Sequence, residues 1–138
     1  ARSQSPEQSK GLSWLAKPAG ERKFSLEEIG MEYELVGRNL VIRLPEELDH
    51  HSCQTLRQDT EQCLENYDIA RIVLDFSAVS FMDSTGIGVF LGRYKRMREL
   101  GGDVALYGAG RRIRKLIRMS GIEKLARVCE TEADALKR

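Results

Sequence analysis

Residues 80–90, "SFMDSTGIGVF", set a carboxylate, two hydroxyls and two glycines between an apolar run and a segment of helical period. Several kinds of chemistry use such residues. An aspartic-protease loop joins its Asp directly to Thr/Ser-Gly, whereas Asp83 and Gly86 stand two residues apart. No second copy of the segment supplies a partner carboxylate. A hydrolase elbow needs Gly-x-Ser-x-Gly, and Met82 occupies the first glycine position before Ser84. A serine nucleophile also needs a base, and the only histidines are the adjacent pair His50-His51. Gly86-x-Gly88 with Gly92 approaches a dinucleotide fingerprint. That motif must occupy the turn directly after a strand, but "SAVSFMDST" intervenes. Gly88 and Gly92, four apart, instead read as a close-packing stripe on a helix.

What survives is a cap and a modifiable hydroxyl. "DST" before an apolar periodic run is a helix start, with Ser84 as the capping side chain and Asp83 at the positive end of the dipole. A phosphate on Ser84 would add about −1.5 to −2 charges, and amides at a helix start accept anions. A surface docked there would meet like-charge and desolvation costs on the order of several kcal/mol. Ser84 therefore suits a binding switch better than a catalytic centre.

The elements that must position it follow from the rest of the chain. At 138 residues and 41% hydrophobic content, one core is expected, and 22 basic against 21 acidic residues leave no global field for nucleic acid or membrane. No apolar run approaches bilayer length and no secretory signal is evident, so a cytoplasmic chain without membrane contact is expected. Three cysteines, with Cys53 and Cys63 roughly 15 Å apart on one helix, suit reduced thiols rather than a disulfide. No metal site or cofactor is expected. Asp49 reads as the cap of that helix, with one imidazole of His50-His51 in solvent and the other packed. Arg111, Arg112, Arg114, Lys115 and Arg118 flank an Ile113/Leu116/Ile117 stripe and read as a solvated helix face, without direct nucleic-acid binding.

Residues 1–30 are polar, with isolated Trp14, Leu15 and Phe24, and read as a flexible extension or appended leader. A short helix at Ser25–Ile29 is allowed by the capping-box spacing of Ser25 and Glu28. Residues 31–138 form the domain. "YELV" and "LVIRL" make a hairpin. Cys53, Leu56, Thr60, Cys63, Leu64 and Tyr67 line a helix, and "RIVLDF" is a strand covered on both faces. Ile87, Phe90, Leu91 and Tyr94 mark the buried side of the next helix. "DVALY" and "LARVC" add strands, and Thr131 caps a terminal helix. The order ββαβαβαβα predicts an α/β domain with a mixed, mostly parallel sheet of four to five strands and about four helices.

"ELDHHS", "IVLDFSAVSFMDSTGIGVFLGRYK" and "MSGI" together closely resemble the anti-sigma factor antagonists of the sporulation type, in the STAS domain family. The resemblance runs from Met31 to the C-terminus. It implies a STAS-type domain with no catalytic residues and no cofactor. Unphosphorylated, such a protein binds an anti-sigma factor that is also a serine kinase, and so frees the sigma factor. The kinase, using ATP and magnesium, phosphorylates the position of Ser84 and ends the binding; a serine phosphatase restores it. The resemblance further implies a partner-binding surface made of Glu47, Leu48, Asp49, His50, Asp83, Ser84, Thr85, Ile87 and Gly88, on a monomer. Glu46 stands where the family commonly has Gly, and Thr85 where a second Ser is frequent. The rival readings are a STAS module of a stress-signalling, partner-switching assembly and a flavodoxin-like enzyme binding a nucleotide or phosphate.

Overall fold

Ile72, Val73 and Leu74 are all buried, which requires cover on both sides of their strand. The computed structural model, which describes residues 22–26 and 30–137, supplies that cover. The strands are β1 (Lys23–Leu26), β2 (Met31–Val36), β3 (Asn39–Arg43), β4 (Glu47–Leu48), β5 (Arg71–Asp75), β6 (Phe81–Met82), β7 (Asp103–Tyr107) and β8 (Arg127–Cys129). The helices are α1 (His50–Asn66), α2 (Ser84–Glu99), α3 (Arg111–Ser120) and α4 (Glu132–Leu136), with a 3-10 turn at Ile122–Lys124. The main sheet runs β1-β2-β3-β5-β7-β8, and a separate two-stranded sheet pairs β4 with β6.

β2 and β3 form the expected hairpin. Gly37 takes φ of 61° at the first position of its two-residue turn, and among the described residues no non-glycine has positive φ, the pattern of a type II′ turn. β3, β5, β7 and β8 pair in parallel through helical crossovers. On one face α1, α2 and α3 bury Leu56, Phe90, Met97, Ile113 and Ile117 against Leu40, Ile42, Ile72, Leu74, Val104 and Leu106. The opposite face is a smaller cluster of Val41, Val73, Ala105 and Tyr107, closed by Ala135 of α4.

A helix of five residues does not persist alone. Arginines from the sheet hold α4 across this face. Arg43 pairs with Glu132 at 3.3 Å, Arg71 donates to the Ala135 carbonyl at 3.0 Å, and Arg127 donates to the Asp134 carbonyl at 2.8 Å. Guanidiniums at the C-terminal carbonyls also match the negative end of the helix dipole.

The sheet has six strands rather than four to five, because it extends into the segment read as a leader. Lys23–Leu26 pairs antiparallel with β2, Lys23 opposite Glu34 and Leu26 opposite Met31, and the Phe24 ring lies 6.3 Å from that of Tyr33. Four residues are too few for a period to show, and it is the β2 partners that make them a strand. The helix allowed at Ser25–Ile29 is replaced at Ser25 and Leu26 by this strand; residues 27–29, like Trp14 and Leu15, lie outside the described residues.

Candidate functional site

The two-residue strands β4 and β6 lie parallel, Glu47 opposite Phe81 and Leu48 opposite Met82. Each is followed by an aspartate that caps a helix, so α1 and α2 begin side by side. Asp49 Oδ1 accepts the Ser52 amide at 3.0 Å while the Ser52 hydroxyl accepts the Asp49 amide at 3.0 Å, a reciprocal capping box. Asp83 Oδ1 accepts the Thr85 amide at 2.9 Å, the Gly86 amide at 3.4 Å and the Thr85 hydroxyl. Ser52 holds the Asp49 carboxyl below its usual range; the Thr85 hydroxyl, aided by the amides, does the same for Asp83. Asp49 is near enough to push Asp83 back upward by charge repulsion.

Asp83, not Ser84, is therefore the N-cap of α2. The short carboxylate reaches back over its own helix start and leaves Ser84 as the first helical residue, with its side chain exposed. The amides expected to receive an anion at Ser84 are already taken in part by Asp83. A group added to Ser84 would project into solvent beside two ionised carboxylates.

Glu47, His50 and Gly88 are exposed around Ser84, and Asp49, Asp83, Thr85 and Ile87 are half-buried. Leu48 is only 2% exposed and supports the site from below rather than facing outward. His51 is as exposed as His50, so neither imidazole packs; the helix turns its Ser52 and Cys53 inward instead. Phe81, 48% exposed in the β4–β6 pair, is an apolar contact surface that sequence reasoning missed, since an isolated Phe carries no period.

The glycines have different roles from those expected. Gly86, Gly88 and Gly92 all lie inside α2, so no glycine-rich turn cradles a phosphate and the nucleotide reading loses its motif. Gly88 and Gly92 are not close-packed: a Cβ at either would meet nothing within 4 Å. Gly86 is the tight one, where a Cβ would sit 2.4 Å from Met82 Cγ and 3.3 Å from Leu48 Cδ2. Gly86→Ala is accordingly expected to destabilise the domain by about 1–2 kcal/mol, overpacking outweighing the helix-propensity gain. Denaturant titration checks this; a variant as stable as wild type would mean that Met82 yields freely.

The fully buried stripe of α2 is Gly86, Phe90, Arg93 and Met97; of the expected Ile87, Phe90, Leu91 and Tyr94, Ile87 and Tyr94 pack half-buried against the core. Leu91 is exposed, and Arg93 is 6% exposed. The cause lies on α1. Arg93 Nη1 donates to Glu61 at 2.8 Å and to the Thr60 hydroxyl at 3.3 Å, and Arg96 donates to the other Glu61 oxygen at 2.6 Å. Partial burial pushes the Glu61 carboxyl up, but these guanidiniums prevail and hold it below the usual carboxylate range. Above this bridge α1 and α2 enclose a groove of about 430 Å³ that opens beside Ser84.

The STAS domain profile matches residues 31–135. The chain belongs to the STAS domain family. This STAS domain is 36% identical over 97 residues to an anti-sigma F factor antagonist of Paenibacillus polymyxa, covering 70% of this chain and 83% of that one. Its fold is similar to the anti-sigma factor antagonist SpoIIAA in its unphosphorylated form, with a TM-score of 0.70 at 31% identity, over 78% of this chain and 93% of that one. It is also similar to the Bacillus cell fate determinant SpoIIAA in the phosphorylated form, with a TM-score of 0.65 at 31% identity, over 78% and 96%. Strand β1 precedes the matched residues and pairs with β2 at the sheet edge. No helix among the described residues is long and apolar enough to cross a membrane.

Proposed function

We propose that this STAS domain is an anti-sigma factor antagonist that works in the cytoplasm as a binding module, not an enzyme, and that Ser84 is its switch. The observation that carries the reading is the exposed Ser84 side chain at the first turn of α2, relieved of capping by Asp83. Kinship with an antagonist of an anti-sigma factor, and with a protein known in phosphorylated and unphosphorylated forms, supports it.

Unphosphorylated, the domain presents Glu47, Asp49, His50, Thr85, Ile87, Gly88 and Phe81 around Ser84 to an anti-sigma factor that is also a serine kinase. The kinase transfers the γ-phosphoryl group of ATP to the Ser84 oxygen, whose proton leaves to a base of the kinase. The product carries a dianion beside Asp49 and Asp83, and the docked surface then meets a charge it was not shaped for. A serine phosphatase resets the domain. Because the hydroxyl is already in solvent, the fold need not rearrange to receive the phosphate.

Incubation with the cognate kinase, ATP and magnesium, followed by intact-mass measurement, tests this. Wild type is expected to gain one phosphate and Ser84→Ala none, while unmodified Ser84→Ala still binds the kinase. A phosphate on the alanine variant, or none on wild type, would overturn the assignment.

A further inference from the structure

We propose that the groove between α1 and α2 is a socket for a carboxylate side chain of the protein that docks over Ser84, a refinement that rests on the antagonist reading. The groove is lined by His50, Arg57, Thr85, Gly88, Gly92 and Arg93, over a floor that includes Cys53 and Val89, and no carboxylate lines it. Its two arginines differ in kind. Arg57 is exposed at the rim. Arg93 is buried, and although Nη1 is held by Glu61 and Thr60, its Nε has no acceptor among the described residues. A buried donor without an acceptor is costly and uncommon, and a carboxylate oxygen entering the groove satisfies it once the Arg93 side chain turns toward the opening.

The walls leave room for such a group. Gly88 and Gly92 present no side chain, and a Cβ at either would meet open space, so the α2 wall is bare backbone at these two positions, between Thr85, Val89 and Arg93. Cys53 and Val89 offer apolar surface to an aliphatic stem, and the arginines wait for its charged tip. His50 and Thr85 belong both to the groove and to the helix starts flanking Ser84, so a surface that covers Ser84 also covers the groove mouth. The capping carboxylates Asp49 and Asp83 are engaged with their own helix amides and do not line the groove. The partner that fits is thus a protein surface carrying an Asp or Glu anchor, with cationic groups around it to face Glu47, Asp49 and Asp83.

Two variants test the socket by different means. Gly92→Leu fills the groove from a position where an added Cβ meets nothing within 4 Å and helix propensity improves. Arg57→Glu reverses the charge at the rim from an exposed site. Titration calorimetry against the cognate anti-sigma factor kinase is expected to show each variant binding about tenfold or more weakly than wild type. Arg57→Lys should keep most of the affinity, and the thermal midpoint of every variant should stay at or above the wild-type value. Wild-type binding with both variants unchanged would overturn the socket alone; failure of wild type to bind would overturn the antagonist reading with it. Sedimentation showing self-association that Gly92→Leu abolishes, with partner affinity intact, would give the groove to a second copy and equally overturn the proposal.

Discussion

Ser84→Asp is expected to weaken binding of the anti-sigma factor kinase by roughly a hundredfold, or ~2.7 kcal/mol, and to leave the thermal midpoint of the domain unlowered. The two halves of this result have separate causes. Binding suffers because the new carboxylate joins Asp49 and Asp83, both held ionised by their capping hydrogen bonds, at a surface the partner must desolvate. Stability does not suffer because Ser84 is exposed and does not cap α2, while an acid in the first turn of a helix is favoured by its dipole. Ser84→Asn, equal in size but neutral, should bind far more tightly than Ser84→Asp. Calorimetry and thermal denaturation of the three proteins separate charge from bulk. Equal affinity for Ser84→Asp and wild type would remove the electrostatic mechanism, and a falling midpoint would show that Ser84 serves the fold.

The largest loss of stability is expected from Glu61→Ala, about 2–3 kcal/mol by denaturant titration. The size follows from what is left behind. Arg93 would keep its charge at 7% side-chain exposure with only the Thr60 hydroxyl as partner, and Arg96 would lose its own contact with Glu61. Removing one partner of a fully buried pair costs roughly 3–5 kcal/mol, and the 31% exposure of Glu61 lowers that figure. Replacing both residues, as Glu61→Leu with Arg93→Met, should recover most of the loss, since no unpaired charge then remains.

The pH dependence has a definite sign. Glu61 has a folded pKa below its unfolded value of about 4.3, so its contribution is complete above that pH and is lost as the pH falls through the folded pKa. Asp49 and Asp83 act in the same direction. Asp59, raised by burial although the Tyr33 hydroxyl donates to it at 3.0 Å, acts in the opposite one. The stability gap between wild type and Glu61→Ala should therefore be constant near neutrality and shrink below about pH 4. A gap that persists unchanged into acid would mean that Glu61 acts by packing, not by charge.

How much of this was legible beforehand depended on whether the signal was local. α1 was readable because Cys53, Leu56, Thr60, Cys63 and Leu64 repeat at helical spacing, and all five are buried. The Thr131 cap of α4 was readable from side-chain type, and its hydroxyl accepts the Asp134 amide at 3.2 Å. α2 packs Ile87, Phe90 and Tyr94 on the core as expected, but Leu91 faces outward and the inward face includes an arginine whose acceptors lie on another helix. No pattern within "GIGVFLGRYK" announces Glu61. Strand β1 and the exposed Phe81 were missed for a related reason, each being defined by a strand paired with it.

Ser84 as a hydroxyl near a helix start, flanked by an acidic neighbour, was determined by residue type and order alone, because capping and helix periodicity act over three or four residues. Tertiary structure decided that Asp83 takes the cap, that β4 and β6 set two helix starts abreast, and that a groove with a buried arginine opens beside them. The Asp83 cap is itself local, but the paired helix starts and the groove depend on residues separated by more than thirty positions in sequence, such as the 32 between Glu61 and Arg93, meeting across packed elements. Such meetings are selected by the free energy of the whole core, which no local stretch of the chain contains.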